Sequence, residues 1–415
     1  MKLVSPTYLD ADRPRVNQPV VITGIGLVTS LGLDRPTTWT NLCERKSGAT
    51  WLNIPEHAGF PVAWDRPIAG DSDPAHEFLI RAADEAMADA RVLDSGIEPD
   101  RSAILIGLSK GCVRSLIQVS ERIRSGQFED RNLAEIWMRS WPNSGVSLLA
   151  SRYDFRGPSI APVAACATGL VAALQGADLI RRGACDLALV GGSDASLEPL
   201  LLAAFRRMKA LARVDADPKS AVRPWDRDRS GFLVGEGGAV LVLERLDHAR
   251  ARGAHIYAEL AGGALGSDAY HETGLNPDPS GLARVITRAI ESAGLNPSDI
   301  DAVNVHGTAT LANDPLECQA IRRAFGDHAD RLACSANKAQ IGHLLGAAGS
   351  AELAISALSV RHGFVPPTLN RDYPDVGCDL DGISKIGKSL SVRALLKLSL
   401  GFGGHFAAAI LRAVD

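Results

Sequence analysis

No segment of this 415-residue chain carries the roughly 18 consecutive apolar residues needed to cross a bilayer. The stretch from Met1 to Val16 has two prolines, Asp10 and Asp12 but no apolar h-region, so no secretory signal is expected. Cysteine is scarce and scattered. The seven residues (43, 112, 166, 185, 318, 334, 378) are odd in number and form no C-x-x-C pair, which fits neither a disulfide framework nor a zinc site. A reducing cytoplasm suits them best. A net charge of −4 lacks the basic excess of a nucleic-acid binder. Aromatics make up only 5% of the chain while glycine occurs 40 times, which suggests close-packed layers joined by tight turns. What is present is otherwise ordinary for a globular protein, 46% apolar and 22% charged. The length exceeds one core, so two packed units or one duplicated unit is expected.

Apolar runs that read as buried strands alternate with helical stretches. The strands are expected at Pro19 to Thr23, Ala103 to Gly107, Asp186 to Gly191, Ala239 to Glu244, Ile256 to Gly262, Ala302 to His306 and Lys397 to Gly401. Helical spacing covers Thr37 to Glu44, Ala75 to Ala90, Thr168 to Arg182, Gly281 to Ala293, Pro315 to Phe325 and Leu344 to Val360. Such alternation predicts a layered α/β fold. A faint internal echo, with Leu187 to Ser193 and Leu398 to Gly404 each ending a strand in paired glycines, divides the chain near residues 250 to 255. The expected parts are an N-terminal extension (1–18) and two halves (19–252 and 253–415) within one compact body.

Several motif matches fail on their own terms. Gly107-Leu108-Ser109-Lys110-Gly111 fits the G-x-S-x-G nucleophile elbow, but such matches arise easily in a glycine-rich chain. Gly24-Ile25-Gly26-Leu27-Val28-Thr29 has Thr29 where a dinucleotide loop needs glycine, and reads as a tight turn. His271-Glu272-Thr273-Gly274-Leu275 lacks the last histidine of H-E-x-x-H and implies no zinc.

Three segments are more informative. Val163-Ala164-Ala165-Cys166-Ala167-Thr168-Gly169 puts a thiol in a turn of small residues before an apolar helix. The helix N-terminus is expected to favour its thiolate. A strand delivers His306 into Asn304-Val305-His306-Gly307-Thr308-Ala309-Thr310-Leu311-Ala312-Asn313-Asp314-Pro315-Leu316-Glu317, a loop with two hydroxyls and acids. Lys338 and His343 then precede a helix of unusually small residues that carries Glu352.

Together with Phe205-Arg206-Arg207-Met208-Lys209-Ala210-Leu211, Arg223-Pro224-Trp225-Asp226, Gly231 to Gly237, Ser267 to His271 and Gly401-Phe402-Gly403-Gly404, these segments resemble the β-ketoacyl-[acyl-carrier-protein] synthases of the elongating kind. The similarity runs from about Val20 to the C-terminus. It implies the thiolase fold: two duplicated βαβαβαββ halves in a five-layer α-β-α-β-α sandwich, normally a homodimer, with a heterodimer with a second synthase-like subunit also open. It further implies that Cys166 accepts an acyl chain from the phosphopantetheine of acyl carrier protein. His306 and His343 would stabilise the enolate left when malonyl-carrier protein loses CO2, in type II fatty-acid elongation. By the same resemblance, Lys338 with Glu352 supports the histidines, and the backbone N–H groups of Cys166 and Phe402 form an oxyanion hole. Phe402 also gates the acyl pocket, and Thr308 and Thr310 bind the pantetheine arm. Asp314 and Glu317 are supporting acids, and Arg206, Arg207 and Lys209 are candidates for docking the acidic carrier. No metal or diffusible cofactor is implied.

The pattern departs from the family at Lys110, where an apolar residue usually lines the pocket floor. A lysine there shortens the pocket, crosses to a partner or turns away. It departs again at Lys397-Leu398-Ser399-Leu400, usually Ser-Asn-Ser-Phe, and at Phe406, commonly Asn; both touch the gating loop. Ser125 to Asn143 also matches poorly. These departures keep open a specialised polyketide or unusual-lipid synthase. A non-catalytic chain-length-factor-like subunit is disfavoured because Cys166 is present. A thiolase is disfavoured because no cysteine follows Lys397.

Overall fold

In a computed structural model, residues 18–52, 61–64, 73–92, 97–127, 133–214, 216–380 and 385–414 are described. Residues 1–17 of the expected N-terminal extension lie outside them.

Two copies of one chain path make the molecule. The first runs β1 (Val20–Val28), α1 (Pro74–Ala90), β2 (Ser102–Gly107), α2 (Ser144–Tyr153), β3 (Ser159–Ile160), α3 (Thr168–Arg181), β4 (Leu187–Asp194) and β5 (Gly237–Arg245). The second runs β6 (Ala258–Ser267), α4 (Ser280–Ser292), β7 (Ala302–Asn304), α5 (Asn313–Phe325), β8 (Ala333–Ser335), α6 (Ala348–His362), β9 (Ala394–Gly401) and β10 (His405–Arg412). Each is a βαβαβαββ path. Strand order across the sheet is palindromic, β8-β7-β9-β10-β6-β1-β5-β4-β2-β3. The two halves join in the sheet through two residue pairs, Val21 with Glu259 and Ile22 with Ala258.

Hydrophobic burial explains the layers. One core packs α1 and α2 on the outer face of the first half, around Phe78, Leu79, Ile104 and Leu149. Another packs α4 and α5 on the second, around Ile286, Ile321, Leu396 and Ile410. Between the halves α3 and α6 share a third core with Leu105, Val190, Leu243 and Leu411. Five layers result, α-β-α-β-α. Every residue from Ala348 to Val360 is buried. A helix covered on all sides needs no polar face, and its Ala, Gly and Ser residues let it pack closely.

The expected strands and helices overlap the observed ones, with two differences: β1 runs on to Val28 through the glycine segment Gly24 to Val28 that was expected to be a tight turn, and β7 stops at Asn304 and leaves His306 in the following loop. The structure adds β3, β8, β10 and α2 to the repeated path and, among the elements outside it, the helices Val113–Arg124, Leu133–Arg139, Pro199–Arg207 and Leu246–Ala251. The helices Val113–Arg124 and Leu133–Arg139 bury little, only Ser115 and Val119 in the first and no residue in the second. Val113, Leu116, Ile117 and Ile123 nonetheless stand at helical spacing in the first, so its apolar period is present in the sequence.

Candidate active site

The site forms at the carboxyl ends of the parallel strands β3, β7, β8 and β9, where open α/β sheets offer a crevice. Cys166 occupies the short 3-10 turn Ala165–Ala167 ahead of α3. Ala165 has φ +47°, a left-handed turn that sends the thiol out of the strand path. Gly401, at the end of β9, abuts this turn: a Cβ there would lie 3.2 Å from the backbone N of Cys166. The segment Gly401-Phe402 therefore passes close to the N–H of Cys166.

Cys166, His306, His343, Thr308, Thr310 and Phe402 line one cleft of about 1100 Å³. Thr308 and Thr310 hydrogen-bond each other at 3.0 Å, and Thr310 also accepts from the N–H of Asn313. Arg206 and Lys209 stand at the mouth of the cleft, and Arg207 is exposed beside them.

The histidines are fixed from behind. Their rings meet edge-on, 5.3 Å between centroids, and Phe232 packs edge-on against His343 at 4.8 Å. The buried Lys338 ammonium donates to the backbone oxygen of His306 and lies 3.4 Å from its Nδ1. Nδ1 of His343 accepts from the N–H of Leu345 at 3.3 Å. Each Nδ1 thus faces a donor, which places the ring proton on Nε2 in the neutral imidazole. Burial, joined by the Lys338 ammonium, holds both imidazoles well below the usual histidine range. The outcome is a pair of neutral N–H donors, suited to a developing oxyanion.

The predicted acids are all buried supports. Glu352 Oε1 accepts from Lys338 at 2.5 Å. Glu317 accepts from the N–H groups of His306 (2.5 Å) and Gly307 (2.9 Å), and burial pushes it up to about 7. Asp314 accepts from the N–H of Trp225 at 2.9 Å and is pushed up to about 6, again by burial.

One expectation is corrected. Burial pushes the Cys166 thiol up to about 11, against the pull of the Lys110 and Lys338 ammonium groups. Desolvation of the anion thus works against the helix end that was expected to favour thiolate.

Both domain models of one family match the chain: Beta-ketoacyl synthase, N-terminal domain, over residues 64–249, and Beta-ketoacyl synthase, C-terminal domain, over residues 257–372. The chain belongs to this family. It is 34% identical over 400 residues to the 3-oxoacyl-[acyl-carrier-protein] synthase 2 of Coxiella burnetii, covering 93% of this chain and 96% of that one. It is 36% identical to the tetracenomycin polyketide synthase ketoacyl synthase alpha subunit of Streptomyces glaucescens, covering 94% and 96%. Among solved structures, a ketosynthase complexed with its type II polyketide acyl-carrier protein superposes with a TM-score of 0.89 at 31% identity, covering 96% of this chain and 100% of that one. The protein is accordingly a condensing enzyme of the acyltransferase kind, with the thiolase fold.

The synthase's departures from its family resolve as follows. Lys110 turns to Asp194, with Nζ 2.7 Å from Oδ2. Ser109 donates to the same oxygen at 2.9 Å, so the G-x-S-x-G serine is held by an acid and a lysine. Phe406 is buried in the outer core of the second half. Leu400 lines the cleft. The Lys397 side chain turns inward to Glu352, away from the Gly401-Phe402-Gly403-Gly404 segment. Sequence reading overlooked Asp194, Phe232 and the role of Lys397. The one signal available for Lys397 was a charged residue inside the apolar run Leu395 to Leu400.

Proposed function

We propose that this synthase joins an acyl chain held on Cys166 to a malonyl-derived two-carbon unit, giving 3-oxoacyl-carrier protein and CO2 in type II fatty-acid elongation. The observation that carries the reading is one cleft holding a buried thiol beside two neutral imidazoles whose Nδ1 atoms are already engaged. In the first step the Cys166 sulfur attacks the carrier thioester. The carrier's C–S bond breaks, and the Cys166 proton ends on the departing pantetheine thiol. A thiol serves both as nucleophile and as leaving group. In the second step the bond from the malonyl α-carbon to its carboxylate breaks. CO2 departs and the electron pair moves onto the thioester oxygen, where the Nε2–H groups of His306 and His343 receive the charge. The α-carbon then attacks the acyl carbonyl and the Cys166 thiolate leaves. The N–H groups of Cys166 and Phe402 serve as the oxyanion hole for both acyl transfers, and Phe402 gates the pocket.

Substrates ride on the phosphopantetheine of acyl carrier protein, with Thr308 and Thr310 holding the arm, and no metal or diffusible cofactor takes part. Arg206, Arg207 and Lys209 at the mouth offer charge complementary to an acidic carrier. A homodimer is proposed through the edge strand β3, where Ile160 is exposed; Trp137, Met138 and Trp141, shortly before it in the chain, are exposed as well. No helix among the described residues is long and apolar enough to cross a membrane, and a cytoplasmic location is part of this reading.

A second reading, a synthase for a specialised acyl chain, is favoured by the Lys110–Asp194 pair, whose charges act on Cys166 where the family usually has an apolar residue. The test for both is intact mass after incubation with acyl-carrier proteins of graded chain length. Acylation lost in Cys166→Ala supports the mechanism, and the chains accepted separate the two readings. No increment with any chain overturns both.

A further inference from the structure

Lys397 is a lysine with no exposed surface in the middle of β9, and no step above uses it. Its ammonium donates to Glu352 Oε2 at 2.7 Å and to the backbone oxygen of Leu398. Glu352 Oε1 is occupied by Lys338 at 2.5 Å. Two buried cations therefore share one buried anion. Buried charge in excess of its partners is strongly unfavourable, so such an arrangement needs a compensating use or a compensating group.

The groups around the triad are known. Glu317 lies on α5 with its oxygens spent on the N–H groups of His306 and Gly307, and Asp314 sits one turn before it with Arg229 4.0 Å away. Burial lowers the Lys397 ammonium from the usual lysine range, against the pull of Glu352 and Glu317, and the imidazoles of His306 and His343 stand within reach of its charge. Both sense Lys397 as positive charge, which acts with burial and Lys338 to keep them neutral. Lys110 adds to this at His343, where its own charge is already met by Asp194.

From this geometry we infer that Lys397 is a positioning residue for the decarboxylation half-reaction. By holding one oxygen of Glu352 it fixes the other on Lys338, and it adds a buried positive charge behind the two imidazoles that receive the enolate. The inference rests on the reading of His306 and His343 given above. It assigns no role to Lys397 in acylating Cys166, because the ammonium is spent on Glu352 and Leu398.

The test compares full-length wild type, Lys397→Met and Lys397→Gln in two assays. One follows conversion of malonyl-carrier protein to acetyl-carrier protein; the other follows acylation of Cys166 by acyl-carrier protein, both by mass. Lys397→Met is expected to slow decarboxylation ~10-fold, less than the ~100-fold expected for losing a direct donor. Cys166 acylation should stay within about twofold of wild type. Lys397→Gln, which keeps a donor to Glu352 but no charge, should fall between. The acid limb of the decarboxylation profile should move to higher pH in Lys397→Met, since an imidazole freed of a neighbouring cation protonates more readily.

Equal loss in both assays, or an unchanged decarboxylation rate and pH profile, overturns the inference. So does failure of both variants to fold, which would make the residue structural. A wild-type protein that does not decarboxylate malonyl-carrier protein overturns the functional reading instead.

Discussion

The turns that open α3 and α6 are built alike and do different work. Each is a three-residue 3-10 turn, Ala165–Ala167 and Leu345–Ala347, whose first residue has positive φ, +47° and +46°. Each leads into a helix whose second residue is glycine. A Cβ on Gly169 would lie 2.6 Å from the N of Ser350, and one on Gly349 would lie 2.6 Å from the N of Leu170. The two helix starts thus cross at reciprocal glycines, with no room for a side chain on either. At the centre of the first turn stands Cys166; at the centre of the second stands Gly346. The N–H of Gly346 donates to Asp194 at 3.1 Å, and the space its side chain would fill is taken by Ser109. One turn offers a reactive atom to the cleft, and its twin anchors the segment carrying His343. A duplicated backbone supplies two equivalent positions, and chemistry follows from which side chain each holds.

Breaking the first turn has the largest effect. Cys166→Ala should abolish the acyl mass increment, while circular dichroism and melting stay close to wild type. Next comes the segment behind the second turn. His343→Ala, like His306→Ala, should slow malonyl decarboxylation ~100-fold or more, as losing a direct oxyanion donor does; Cys166 should still be acylated. An equal fall in both assays would show that the division of labour is wrong.

The twin turn itself can be tested by stability. Gly346→Ala forces a methyl to within 2.6 Å of Ser109 Cβ, and overpacking of this kind costs about 1–3 kcal/mol, seen as a lowered melting temperature. Ser109→Gly in the same chain should recover most of that loss, and no recovery would mean the contact is not the cause. A pH series sharpens the same contrast. Because His306 and His343 lie well below the usual histidine range, imidazole protonation should not shape decarboxylation between about pH 6 and 8; Glu317, pushed up to about 7 behind His306, is the site group that titrates there. An inflection in that window should therefore vanish in Glu317→Gln, and one that persists would place an exposed imidazole in the step. The smallest effect is expected from Ser109→Ala: activity should stay within about twofold, since the hydroxyl is bonded to Asp194 and Lys110 and to none of the reacting groups.

Much of the fold and site is legible in the amino-acid sequence alone. Cys166, His306, Lys338 and His343 stand in segments whose order and spacing carry the family resemblance, and the apolar runs mark most strands of the main sheet. The helix Val113–Arg124 carries an apolar period at Val113, Leu116, Ile117 and Ile123 and goes unread only because no motif draws attention to it, whereas Leu133–Arg139 is seven residues with none buried, too short for a period to show. Also not legible is β10, His405–Arg412, whose run of alanines has no contrast between its two faces.

The chain's own letters set which reactive groups exist, where turns of small residues permit a sharp bend, and the repeat of strand and helix that builds each half. They could not set the state of those groups. Whether Cys166 rests as thiol, which ring nitrogen of each histidine holds the proton, and where Lys110 and Lys397 spend their charge all depend on partners brought from elsewhere. Asp194 lies 84 residues from Lys110 and Glu352 lies 45 from Lys397. Desolvation and charge act through space at a few ångströms, so they follow the folded distances and not the spacing along the chain.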